Sequence, residues 1–130
     1  MSLKAVPLAL ALLSFNAAAG DAEKAFSQEL TACAAYYQIA SAAIASMNAP
    51  QMKAVSERLV LSGQKAIEIA EKYQSKAAVQ QAVSLALKQH KALAPNPKSL
   101  APLMQKYREP CKLAVTDPSK RLDYWSMASM

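Results

Sequence analysis

The stretch DAEKAFSQELTACAAYYQIASAAIASMN, residues 21–48, decides the fold. Phe26, Leu30, Cys33, Tyr37, Ala40, Ile44 and Met47 recur in it at alternating spacings of four and three. That is a heptad rhythm, which keeps one apolar seam turned toward a partner helix. Cys33 falls on the seam, so its sulfur is expected to point inward. Asp21 can cap the N-terminus, and Glu23 places a negative charge in the first turn, where it suits the helix dipole. Ala49-Pro50 is expected to close the helix just after Asn48.

Working outward toward the C-terminus, Pro50 suits the first turn of a second helix reaching about Gln74. Met52, Val55, Leu59, Ser62, Ala66, Ile69 and Tyr73 carry its stripe. Ser62, Gly63 and Ala66 make the middle narrow, which admits a close neighbour opposite Tyr36 or Tyr37. Uninterrupted helix from Met52 to Leu93 would be about 60 Å long, too long for a compact chain of this size. A break or sharp bend is therefore expected near Ser75, with a third helix from Lys76 to about Lys91 carrying Val79, Ala82, Val83, Ala86 and Leu87. Ala94-Pro95-Asn96-Pro97 is a loop, because two prolines so close stop a helix. A fourth helix is expected from Lys98 or Ser99, carrying Leu100, Leu103, Met104, Tyr107 and Cys111. Pro110 should kink or end it. Asp117-Pro118 then opens a last short turn containing Leu122. No alternating strand pattern occurs, and glycine is confined to Gly20 and Gly63. The fold class expected is all-α, a small up-down four-helix bundle.

Toward the N-terminus, residues 1–20 read as a cleaved signal peptide, leaving a single helical domain over 21–130. Lys4 supplies the positive end, Ala5 to Phe15 the uncharged apolar run, and Ala17 and Ala19 the small residues before a cut after Ala19 or Gly20. The run is about half the roughly 20 residues that a spanning helix needs, so no membrane span is expected in the mature chain. A periplasmic or secreted location follows, where disulfides persist. Cys33 and Cys111 are the two cysteines, and one bridge between them would close a loop of 79 residues counted inclusively. Tying the first helix to the end of the fourth fits antiparallel neighbours.

Charge is uneven along the chain. Residues 21–87 carry six basic and six acidic side chains, whereas residues 88–121 carry eight basic and two acidic. The plainer reading of the basic excess is a solvated helical face; as a binding face it would favour an acidic partner, another protein or an anionic component of the cell envelope. Nucleic acid is not expected in that compartment. The candidate binding surface comprises Lys106, Arg108, Lys112, Lys120, Arg121, Tyr124 and Trp125, with Tyr36, which lies off the seam that Tyr37 occupies. Trp, Tyr and Arg are the residue types that dominate binding hot spots. The plainer role, Leu122 and Trp125 anchoring the last turn to the bundle, is the favoured expectation; a split role would dock Trp125 and leave Arg121 and Tyr124 exposed.

The sequence holds little chemistry. His90, the single histidine, has Lys88, Gln89 and Lys91 beside it and reads as a surface residue rather than a general base. No metal-ligand spacing, glycine-rich phosphate loop or Cys-x-x-Cys-His haem attachment occurs, and no cofactor is expected. Haem held by His90 with Met47, Met52 or Met104 is the first alternative, as in an electron-transfer bundle. A small enzyme built on Glu57, Glu68 or Glu109 with Tyr107 is the second. The favoured expectation is an exported, non-enzymatic helical protein that binds another protein or serves as an envelope accessory factor, in the manner of an inhibitor or immunity protein.

Overall fold

A computed structural model describes residues 20–96 and 99–130. The expected signal segment, apart from Gly20, and Lys98 in the basic tally lie outside these residues. The described residues form five helices and no strand: α1 (Asp21–Ala45), α2 (Lys53–Ala70), α3 (Lys76–Leu93), α4 (Ala101–Thr116) and α5 (Pro118–Ala128). A short 3-10 turn, Pro50–Met52, leads into α2. None of the helices is long and apolar enough to cross a membrane.

The boundaries have local causes. α1 ends at Ala45, earlier than the seam suggests, and Asn48 takes a positive φ of 53° in the turn. Asn tolerates that region better than most residues. Met47 is consequently out of the helix and exposed. Between α2 and α3 the chain breaks as the length argument requires. Ser75 caps α3, its hydroxyl accepting from the Ala78 amide at 3.2 Å. Pro110 sits inside α4 and does not end it, because Cys111 and Ala114, both fully buried, hold the following turn on the core. The expected last short turn is instead α5, eleven residues long. Asp117 caps it by accepting from the Lys120 amide at 3.3 Å, and Pro118 occupies its first turn, the arrangement a helix start favours.

α1 packs against all four other helices, so the molecule is built around one central helix, with α5 added to the four foreseen. Five consecutive residues, Cys33 to Tyr37, are buried. The burial is thus wider than one seam, while Lys24, Gln28, Gln38 and Ala42 keep an exposed face. α2 runs antiparallel to it: Phe26 meets Tyr73 edge-on at 5.9 Å, and the Ser56 hydroxyl donates to the Ser41 carbonyl at 3.0 Å. Gly63 lies where α1 and α2 come closest, a Cβ there standing 3.2 Å from the Tyr37 Cβ. α4 is also antiparallel to α1. Cys33 and Cys111 form a disulfide with Cα atoms 5.4 Å apart, and Tyr36 and Tyr107 pack ring to ring at 6.0 Å.

Candidate functional site

Arg108 and Lys112 lie one turn apart on the exposed side of α4, and Arg58 is exposed on α2. Between these two helices, over α1, is a cleft of about 600 Å³, within the usual size of ligand pockets. Arg58, Arg108 and Lys112 all line it, with Ser62, and no carboxylate does. The one ion pair among the described residues is elsewhere, between Arg121 and Glu29. The three cleft cations are thus uncompensated by any acidic side chain within ion-pair distance.

Tyr36 and Tyr37 form the floor. They are only 3% and 6% exposed, yet neither hydroxyl has a hydrogen-bond partner among the described residues. The rings are buried while the hydroxyl oxygens keep contact with solvent, Ser27 Oγ being the one enclosed side-chain oxygen without a partner among the described residues. Burial pushes the Tyr36 hydroxyl up from its ordinary pKa, against the opposing pull of the nearby Arg108 charge. Burial, with Tyr36 as neighbour, pushes Tyr37 up to about 12. Both remain protonated at neutral pH and serve as uncharged donors. Ile44, Val55 and Leu100 line the opposite end of the cleft, with Leu59 and Met104 between.

No family model, curated protein or solved structure matches this chain. The reading of the cleft rests on its own chemistry.

The eight candidate surface residues divide into three groups. Tyr36, Arg108 and Lys112 meet at the cleft. The Tyr36 ring itself is buried rather than free, a correction that follows from α4 covering the second face of α1. Lys120, Arg121, Tyr124 and Trp125 gather on α5, where Arg121 is not an open charge. Its Nε and Nη2 donate to both carboxylate oxygens of Glu29 at 2.7 and 2.6 Å, and the Trp125 Nε1 donates to the same carboxylate at 3.1 Å. The Arg121 guanidinium also lies 4.1 Å from the Tyr124 ring centre. This clamp fastens α5 to α1, so Trp125 and Arg121 both serve as anchors, while Tyr124 is half exposed. Beside it, Leu113, Tyr124 and Met127 edge a smaller hollow of about 350 Å³. Lys106 stands apart, its ammonium 5.4 Å from the Tyr107 ring centre.

His90 is not a surface residue: it is 2% exposed. Its Nε2 donates to the Ala32 carbonyl at 3.0 Å and its ring packs against Tyr107 at 4.6 Å. The signal was present, since Val79, Val83, Ala86 and His90 continue one helical stripe that the flanking lysines obscure. A haem ligand role would require the imidazole to give up this contact. Glu57, Glu68 and Glu109 are each exposed, and Tyr107 is occupied between His90 and Tyr36. Among the described residues no three His, Cys, Asp or Glu side chains are grouped to hold a metal.

Burial lowers the His90 pKa, with the Lys106 charge adding to the effect and the Ala32 bond opposing it. A depressed folded value means that the unfolded chain takes up the proton first. The stabilising contribution is therefore present above the ordinary histidine value of about 6.5 and is lost as pH falls through the lower folded value. Chemical denaturation from pH 7.5 down to 4.5 should show a steeper loss of stability for the wild type than for His90→Leu. Parallel curves would show that His90 is not titrating against its surroundings.

Proposed function

We propose that this chain is an exported, non-enzymatic binding protein that engages an anionic partner in the cell envelope. Residues 1–20 serve as its signal, and the bridged helical domain acts in an oxidising compartment. One observation supports the reading above the others. Arg58, Arg108 and Lys112 line one cleft together with Tyr36 and Tyr37, and no carboxylate lines it. Three like charges repel one another, and an arrangement that keeps them together uncompensated is suited to an anion from outside. Of the partner classes that the basic C-terminal third favours, an anionic envelope component fits this cleft. The protein neighbour expected of an inhibitor-like factor remains an alternative for the α5 surface.

Secreted, purified protein can be tested against vesicles of anionic and of zwitterionic phospholipid. Binding should be confined to the anionic vesicles, weaken steeply between roughly 0.05 and 0.5 M salt as screening shortens, and fall in the double variant Arg108→Gln, Lys112→Gln. Its mass should also show loss of 19 or 20 N-terminal residues and of two hydrogens. Salt-insensitive binding shared by both vesicle types would overturn the anionic reading, and an intact N-terminus in the secreted protein would overturn export by a cleaved signal.

A further inference from the structure

The proposed anionic partner leaves open what part of it enters the cleft, and the layout of the cleft answers that. Because α1 runs antiparallel to both α2 and α4, residue order along each wall gives position along the groove. At one end are Tyr36 and Tyr37 on α1, Ser62 on α2, and Arg108 and Lys112 on α4. At the other are Ile44 on α1, Val55 on α2 and Leu100 on α4, with Leu59 and Met104 between. Arg58 adjoins Leu59 on α2, one turn from Ser62, so one cation stands midway along the groove. The groove is thus most positive toward the disulfide and apolar at its far end. From Tyr36 to Ile44 the axis of α1 advances about 12 Å.

We infer that the cleft binds a single amphipathic molecule with an anionic head and an unbranched apolar tail. Its head sits against Arg108, Lys112 and the two tyrosine hydroxyls, and its tail lies along Leu59 and Met104 toward Ile44. This inference rests on the proposed anionic partner and narrows it to a ligand class. A free inorganic anion would leave the apolar end of the groove unused. An uncharged hydrocarbon would leave the cations unused, and so would a cationic amphiphile. Arg and Lys supply charge-assisted bonds to a carboxylate or phosphate head. The phenols, 3% and 6% exposed and without protein partners, supply further donors where the head would rest. Both hydroxyl oxygens reach solvent, since Ser27 Oγ is the one enclosed side-chain oxygen without a partner among the described residues, so an arriving anionic head would replace water at these donors.

The test is titration calorimetry on the intact secreted protein with decanoate, decyl phosphate, inorganic phosphate and decyltrimethylammonium, each below its micelle concentration. Both anionic amphiphiles should bind at one per chain, at least roughly tenfold more tightly than the other two. Arg108→Gln with Lys112→Gln, at exposed positions, should weaken them by roughly tenfold or more. Met104→Gln, also exposed, should weaken decanoate and leave any binding of inorganic phosphate unchanged. Phosphate binding as tight as decanoate would overturn the tail assignment, and decyltrimethylammonium binding as tight as decanoate would overturn the head assignment. Salt-sensitive binding to anionic vesicles with no binding of either amphiphile would overturn this inference alone and leave the anionic-partner reading standing. Loss of both would overturn the two together.

Discussion

Chains in which Cys33 and Cys111 are both alanine should melt roughly 20 °C below the wild type, and reduced wild type should melt nearly as low. The bridge joins the middle of α1 to the last turns of α4 across a sequence separation of 78 residues. Closing so long a loop removes much of the freedom of the unfolded chain, worth about 4.5 kcal/mol by chain-entropy arithmetic. For a domain of this size each kcal/mol moves the midpoint by several degrees. Both sulfurs lie on fully buried residues, so reduction adds no new exposure to the folded state and isolates the cross-link. The double alanine variant also leaves space in the core and should be the less stable of the two. Thermal denaturation with and without reductant reads both effects. Matching midpoints in all three samples would show that the link does not constrain the unfolded chain.

Gly63→Leu should cost about 3 kcal/mol in urea denaturation, while Gly63→Ala should stay close to the wild type. A Cβ at position 63 would stand 3.2 Å from the Tyr37 Cβ and 3.7 Å from the Ala34 carbonyl oxygen. Both are on or next to the backbone of α1 and cannot swing aside, so relief requires moving a helix. For alanine, the gain in helix propensity of about 1 kcal/mol offsets a small displacement. Leucine places further atoms against the same wall, and overpacking then dominates. The shift lifts α2 from Tyr37, so Gly63→Leu should also loosen the cleft and weaken the ligand binding proposed for it. A leucine variant as stable as the wild type would mean that α1 and α2 do not approach so closely in solution.

The heptad seam of α1 was legible because packing repeats with the turn of the helix: Phe26, Leu30, Cys33, Tyr37 and Ala40 are all buried. A close approach at Gly63 opposite Tyr36 or Tyr37 was legible for a related reason, since close backbone approach needs a residue without a side chain, and only the structure decides for Tyr37. The stretch from Leu30 to Met52 contains no charged residue, a sign that α1 is buried over more than one seam and that Tyr36 would be covered, although Gln38 and Ala42 stay exposed. His90 was misread because its neighbours in sequence are lysines, although it continues the stripe of Val79, Val83 and Ala86. The clamp of Glu29 on Arg121 and Trp125 could not be read at all. Its partners are 92 and 96 residues apart, and no local pattern links them.

The sequence alone determined that this protein is helical, roughly where its first three helices begin, and which cysteines are available to pair. Those properties follow from periodicity, capping and residue count, all short-range or countable along the chain. Only the tertiary structure decided that α1 is the centre of five helices, that Pro118–Ala128 is a docked helix, and that Arg58 lines one cleft with Arg108, Lys112, Tyr36 and Tyr37. A site made of side chains from three helices depends on how those helices are rotated and placed. That placement is set by the summed packing of the core, which no single stretch of the chain encodes.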